Sequence, residues 1–213
     1  MSTLFDLIAK GGPVMIPMAG LSVLTIACAL ERSCFWLQVL RGEDRLAHRI
    51  LETARFDLTE ARQIAESGSN LPIARFMLAG LRLHEPSPET MRLALEAAGD
   101  REFVQMRKGD KLLETVIAMA PLLGLLGTVT GLIITFFNLR IGSGAGFDTS
   151  QAALGIAEAL ITTAGGMIVA IVALAIFRMC VALQAKQVDY FADMGSELEL
   201  IYRQWYEGKR DRD

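Results

Sequence analysis

Pro121-Leu-Leu-Gly124-Leu-Leu-Gly127-Thr128-Val-Thr130-Gly131 lies inside an uncharged run from Thr115 to Leu139. A second uncharged run, from Ala159 to Phe177, contains Thr162-Thr163-Ala-Gly165-Gly166. As α-helices, both are long enough to cross a bilayer. Glycines and hydroxyls at membrane depth point to helices that pack closely and line a polar path, rather than to simple anchors.

Working outward, the rest of the chain agrees. It has 213 residues, 52% of them hydrophobic, and a mean hydropathy of +0.37. That is too apolar for an ordinary soluble domain of this size. No charge falls between Lys10 and Glu31, between Glu114 and Arg140, or between Glu158 and Arg178. Each gap, read as helix, covers roughly 28–38 Å against about 30 Å of hydrocarbon. The expected fold is an all-α integral membrane protein with three transmembrane helices. Ala27-Cys28-Ala29 looks like a signal-peptidase site, but the apolar run around it is longer than a signal needs, so it is read as a retained span.

The Lys and Arg residues set the expected orientation. Thirteen lie between Glu31 and Glu114 and six from Arg178 onward, with only Lys10 and Arg140 on the other side. By the positive-inside rule the N-terminus faces out and the C-terminus in. The expected order is a periplasmic N-terminus at 1–10, a first span at 11–31 and a cytoplasmic helical domain at 32–111. A second span at 112–138, a periplasmic loop at 139–153 and a third span at 154–178 follow. A cytoplasmic C-terminal helix and tail occupy 179–213.

Within 32–111, Leu46, Ile50, Leu51 and Ala54 recur at helical spacing, as do Leu58, Ala61, Ile64 and Ala65. Ser67-Gly-Ser-Asn70 breaks the pattern, and a short helix follows Pro72 to about Leu83. Ser87-Pro88 marks a helix start, and that helix is expected to run through Gly99 and Gly109 into the second span. Pro17 is a candidate kink in the first span. The polar helix after Arg178 is expected to reach about Tyr206. Cys28, Cys34 and Cys180 show no metal or redox spacing and read as small apolar fillers. The glycines of Gly142-Ser-Gly-Ala-Gly146 read as a turn, because no Gly-Lys-Ser/Thr follows.

Depth singles out candidate site residues. Thr128 and Thr163 each lie nine residues in from the outer end of their helix, about 14 Å deep. Gly124, Thr128, Gly131 and Thr135 form one stripe of the second span, and Ala159, Thr163, Gly166 and Ala170 one stripe of the third. Gly127 and Gly131, four apart, add a close-packing site. These threonines read either as a hydroxyl-lined proton path or as packing residues bonded to their own backbone. Glu158 stands at the outer end of the third span on one stripe with Thr162 and Gly165, and reads either as an acid of the proton path or as an interfacial carboxylate in water. Thr162 is a further candidate for the path, expected to matter less than Thr163. Glu114, at the inner end of the second span, reads as solvated.

No span carries a titratable side chain at mid-depth. A proton path through this chain would therefore need a partner's acid or water. His48 and His84 lie in the expected cytoplasmic domain. No catalytic triad, zinc spacing or nucleotide motif occurs, so the sequence indicates no enzyme, cofactor, metal or nucleic-acid partner.

Pro121 through Gly131-Leu-Ile, followed by Gly155-Ile-Ala-Glu158-Ala-Leu-Ile-Thr-Thr163-Ala, resembles the hallmarks of the MotA/TolQ/ExbB proton-channel family. Gly11-Gly-Pro-Val-Met-Ile-Pro17, Glu31-Arg32 and Leu71-Pro-Ile-Ala-Arg75 are similar to its earlier signatures, so the resemblance covers nearly the whole chain. Gly127-Thr-Val-Thr-Gly131 followed by Thr135-Phe136 is nearer the ExbB branch than TolQ, and MotA has a fourth span. The family often has Pro after Ala-Ile in the third span, where this chain has Val172. The resemblance implies an inner-membrane pentamer in the bilayer around single-span ExbD-like partners. The partner's intramembrane Asp would face Thr128 and Thr163, and proton flow would energise a TonB-like protein for outer-membrane transport. A TolQ-like or gliding stator subunit and a purely structural scaffold are the competing readings.

Overall fold

The computed structural model describes residues 12–141 and 149–210, with side chains described for 12–137 and 153–210. The N-terminal segment 1–10, the Gly142–Gly146 turn and the end of the C-terminal tail lie outside the described residues. Every regular element described is helical: α1 Met15–Ala54, α2 Leu58–Ser67, α3 Pro72–Leu81, α4 Pro88–Met106, α5 Asp110–Ile141 and α6 Thr149–Arg210. Among the described residues, three segments are long and apolar enough to cross a membrane, and they lie within Met15–Ala54, Pro88–Phe137 and Ala153–Arg210.

Local chemistry sets the helix ends. Asp57 caps α2, its carboxylate accepting from Thr59 N at 2.7 Å and Glu60 N at 3.2 Å. Ser87 caps α4 in the same way, accepting from Thr90 N at 3.2 Å, and Pro88 takes the first helical position. Pro17 falls in the first turn of α1, where its missing N–H costs no helical bond, so the kink expected there has no cause. Pro121 is the proline inside a helix, in α5.

The helix after Ser87 does not continue unbroken into the second span. It passes through Gly99, ends at Met106, and the chain turns at Gly109 with φ +92° before α5 begins. That φ suits glycine and would strain any other residue. α6 differs in the other direction: it runs without a break from Thr149 through Val172 to Arg210, past the expected end at Tyr206.

The chain divides into two compact units. The span unit takes the residues up to Glu31 and Gly109–Met179. Its core joins Met18 and Cys28 of α1, Leu113, Val116 and Ala120 of α5, and Ala170 and Ala173 of α6. Large apolar side chains such as Leu122, Leu125, Phe136 and Ile171 point outward instead, each more than half exposed. Outward-facing leucines suit a lipid or protein surround, not water.

The charged unit takes Arg32–Lys108 and the residues from Cys180 onward. α3 is buried along most of its length, including Ile73, Met77 and Leu78. Phe191 of α6 packs on Phe76 and Phe103 with ring centroids 4.9 and 5.2 Å apart. Arg75 forks onto Glu102, Nε to Oε1 at 2.8 Å and Nη2 to Oε2 at 2.5 Å. Its Nη1 also donates to the carbonyls of Ser69 and Asn70, fixing the segment that enters α3. The pairing with Glu102 pushes the Arg75 pKa up. Tyr202 donates to Pro86 O at 2.7 Å, and burial pushes its phenol up to about 12. The thiols are not alike: Cys28 and Cys180 are buried as fillers, but Cys34 is exposed. His48 and His84 both lie at the surface.

Candidate functional site: a glycine–threonine seam

α5 and α6 meet along a line where side chains are nearly absent. A Cβ on Gly124 would stand 3.0 Å from Thr163 Cα and 3.1 Å from Thr162 O. One on Gly131 would lie 3.2 Å from Ala159 Cβ, and one on Gly166 only 2.5 Å from Ala120 O. Positions rise along α5 as they fall along α6, so the pair is antiparallel. The glycines let two backbones approach as closely as helices in lipid can.

Two threonines lock this contact reciprocally. Thr162 of α6 fills the space over Gly127 of α5, where a Cβ would sit 2.6 Å from Thr162 Cβ. Thr135 of α5 occupies the matching space over Gly155 of α6. Both are buried, at 1% and 6% exposure. Each hydroxyl is satisfied locally at 2.8 Å, Thr162 by Ala159 O and Thr135 by Gly131 O.

The expected stripes therefore shift by one residue. On α5 the buried line runs Gly124, Gly127, Gly131, Thr135, with Thr128 half-buried beside it. On α6 it runs Ala159, Thr162, Gly166, Ala170, with Thr163 half-buried. At 3.6 residues per turn, steps of three and four fall on one face, and the register that buries most glycine wins. Thr162 accordingly packs within the seam, against Gly127.

Thr128 and Thr163 differ in their bonds. Thr128 Oγ1 donates to Leu125 O of its own helix at 2.7 Å. Thr163 Oγ1 donates across the seam to Gly124 O at 3.0 Å. No direct bond joins the two hydroxyls among the described residues. Thr130 and Thr25 also donate to their own helices, at 2.9 and 2.8 Å. A donating hydroxyl keeps its lone pairs free to accept, and it can rotate toward a charge that arrives nearby.

At the end of the seam, the half-buried Glu158 carboxylate packs against Gly12. Gly12 has φ +67°, which favours glycine there whatever the Glu158 side chain does. Gly165, on the same stripe as Glu158 and Thr162, faces open space. Glu114 is exposed. Sequence reasoning missed Gly12, Gly155 and the packing role of Thr162. Gly155 and Ala159, four apart, repeat the spacing of Gly127 and Gly131 and could have signalled the matching face. No cluster that could hold a metal occurs among the described residues.

These features define a multi-pass helical membrane protein whose spans pack on small residues and present hydroxyls without acids at depth. Residues 68–193 match the MotA/TolQ/ExbB proton channel family, and the chain belongs to that family. It is 59% identical over 206 residues to the ExbB-like 1 protein of Synechocystis sp., covering 96% of this chain and 81% of that one. To ExbB-like 3 of the same organism it is 33% identical over 203 residues, 95% and 97% of the two chains. To the biopolymer transport protein exbB1 of Vibrio cholerae it is 29% identical over 180 residues, 82% and 78%. It is a channel-family protein, not an enzyme.

Proposed function

We propose that this chain is the proton-channel subunit of an inner-membrane motor complex that energises TonB-dependent transport across the outer membrane. One observation carries the reading. The α5–α6 seam is lined with hydroxyls, yet no titratable side chain lies between Glu114 and Phe137 or between Glu158 and Arg178. A proton crossing at this level needs a carboxyl group from another chain, and family membership implies ExbD/TonB-type partners. An ExbD-like single-span protein would supply an Asp.

In this scheme copies of the chain, in a pentamer, surround the partner's helix in the bilayer. Thr128 and Thr163 face the partner's carboxylate, each exchanging its backbone bond for one to the charge. Thr162, Gly124, Gly127, Gly131 and Gly166 hold the helix pair rigid, and Glu158 stands at the outer mouth. The charged unit lies in the cytoplasm and the N-terminus in the periplasm, as the nineteen-to-two basic asymmetry supports. The similarity to two ExbB-like proteins over nearly the whole chain supports an ExbB-type role ahead of a Tol-type or gliding stator.

The test is proton flux in liposomes holding this chain and its partner, with Thr128→Val/Thr163→Val as the variant. Flux should fall while assembly persists. Undiminished flux in the assembled double variant would remove both threonines from the path. A reporter fused after Glu66 should read cytoplasmic and one after Gly144 periplasmic, and the reverse pattern would reject the topology.

A further inference from the structure

The charged unit buries a carboxyl group that the proton path does not use. Glu43 of α1 is 3% exposed and Gln187 of α6 is 5% exposed. The two occupy one layer whose neighbours are apolar: Val39, Ala47 and Ile50 flank Glu43, and Cys180 and Phe191 flank Gln187. Arg32 and Gln184, on the same lines, both donate to Met106 O. Within this unit the helices run in parallel, since Glu43 meets Gln187, Asp44 meets Tyr190, and Arg55 meets Glu197. Gln187 Nε2 donates to Glu43 Oε2 at 2.7 Å. The other two oxygens, Glu43 Oε1 and Gln187 Oε1, are buried and have no hydrogen-bond partner among the described residues.

Two orphaned acceptors in one buried pair are costly. A single proton removes both faults. We propose that Glu43 is carried as the neutral acid, its Oε1 hydroxyl donating to Gln187 Oε1 while Gln187 Nε2 donates to Glu43 Oε2. This reciprocal pair sets the register of α1 against α6 and loosens when the proton leaves. Turning the carboxamide over would set its carbonyl against the carboxylate oxygen, so a proton, and not a flip, pairs both oxygens. A buried polar layer between apolar neighbours is a known device for fixing register.

The surroundings favour the neutral form. Burial, opposed by the Gln187 bond and reinforced by Asp44, raises the Glu43 pKa from the ordinary 4.5 to about 7. The titratable neighbours are Asp44 on α1 and Lys186 and Tyr190 on α6, lining with Leu40 a shallow cavity of about 230 Å³. The proton can exchange with water through it. Leu71, which approaches α1 at Gly42, adds no charge. The folded chain keeps a proton that the unfolded chain releases, so stability falls as pH rises from about 4.5 to about 7 and levels off above. On the proposed topology, the group reads cytoplasmic pH.

The test uses the purified full-length protein in detergent or nanodiscs. Infrared difference spectra of wild type minus Glu43→Gln, titrated through neutral pH, should show one protonated carboxyl that ionises near pH 7. The wild-type melting temperature should fall by roughly 5–10 °C from about pH 5 to about pH 8 beyond that of Glu43→Gln. The variant carries an amide N–H where the acid's O–H would be, so it should stay stable at the higher pH. An ionised Glu43 at pH 5.5, or equal pH slopes in the two proteins, overturns the proposal. If Glu43→Gln does not assemble, amide exchange around Gln187 in the wild type decides. Loss of protection through neutral pH, after correction for the intrinsic rate, supports the pair, and constant protection overturns it.

Discussion

The span unit brings α5 and α6 together at Gly124, Gly127, Gly131 and Gly166, where a side chain is missing. The charged unit brings its helices together where side chains are large: the Arg75–Glu102 fork, the Phe76–Phe191–Phe103 cluster, and Tyr202 on Pro86. The solvent explains the contrast. Lipid tails are as apolar as leucine, so burying leucine between spans gains little, and close backbone contact with saturated hydroxyls gains more. In water the order reverses, and aromatic burial with the part-buried Arg75–Glu102 pair and the caps fixes the helices. The span unit should therefore fail from an added methyl group, the charged unit from a deleted partner.

Added volume in the seam should have the largest effect. Gly127→Leu would drive a side chain into Thr162, and Gly166→Val into the Ala120 carbonyl; neither neighbour can retreat without moving backbone. Both variants should lose assembly in size-exclusion profiles. Wild-type oligomers from either would mean that the glycines do not hold the seam.

Next comes the loss of the hydroxyls. Thr128→Val/Thr163→Val keeps the shape and should retain the oligomer. Leaving a transient charge unsolvated costs about 1–3 kcal/mol, or about tenfold in proton flux per 1.4 kcal/mol. Thr162→Val, whose hydroxyl serves only its own helix, should leave flux close to wild type and is the control.

In the charged unit, Arg75→Met strands the Glu102 carboxylate, which is only 8% exposed. Because Arg75 itself is partly exposed, the expected loss is about 1–3 kcal/mol, measured by denaturant titration and a double-mutant cycle with Glu102→Gln. A zero coupling would put this unit's stability in the aromatic cluster instead.

The smallest effects should come from positions that resemble the sensitive ones. Gly165→Ala meets nothing within 4 Å in this chain and should be neutral or gain up to about 1 kcal/mol of helix propensity. Clear damage at Gly165 would show that a neighbouring chain covers it. Arg92, between Glu89 and Glu96 at the surface, should be replaceable by Gln with no measurable change in melting.

Much of this was legible in the residues. The charge gaps marked three apolar segments, the caps at Ser87-Pro88 and Pro72 marked helix starts, and the paired glycine–threonine motifs marked the seam. Periodicity could not choose between Thr162 and Thr163, or between Gly127 and Thr128. Neighbours on a helix lie about 100° apart, and either can sit near the edge of a face. The break at Gly109 was equally hidden, since a glycine inside a helical pattern reads the same whether the helix passes through or turns.

By itself, then, the chain determined that its long helices belong in a membrane and that no acid lies at their mid-depth. Both follow from composition along one dimension: which residues are charged, and how far apart. Only the tertiary structure decided which threonine fills which glycine, that Gly12 lies against Glu158, and that Glu43 and Gln187 share one buried layer. Those pairings join residues up to 146 positions apart in sequence, Glu158 and Gly12. They depend on how two helix surfaces interlock, a property of the packed pair that neither helix carries alone.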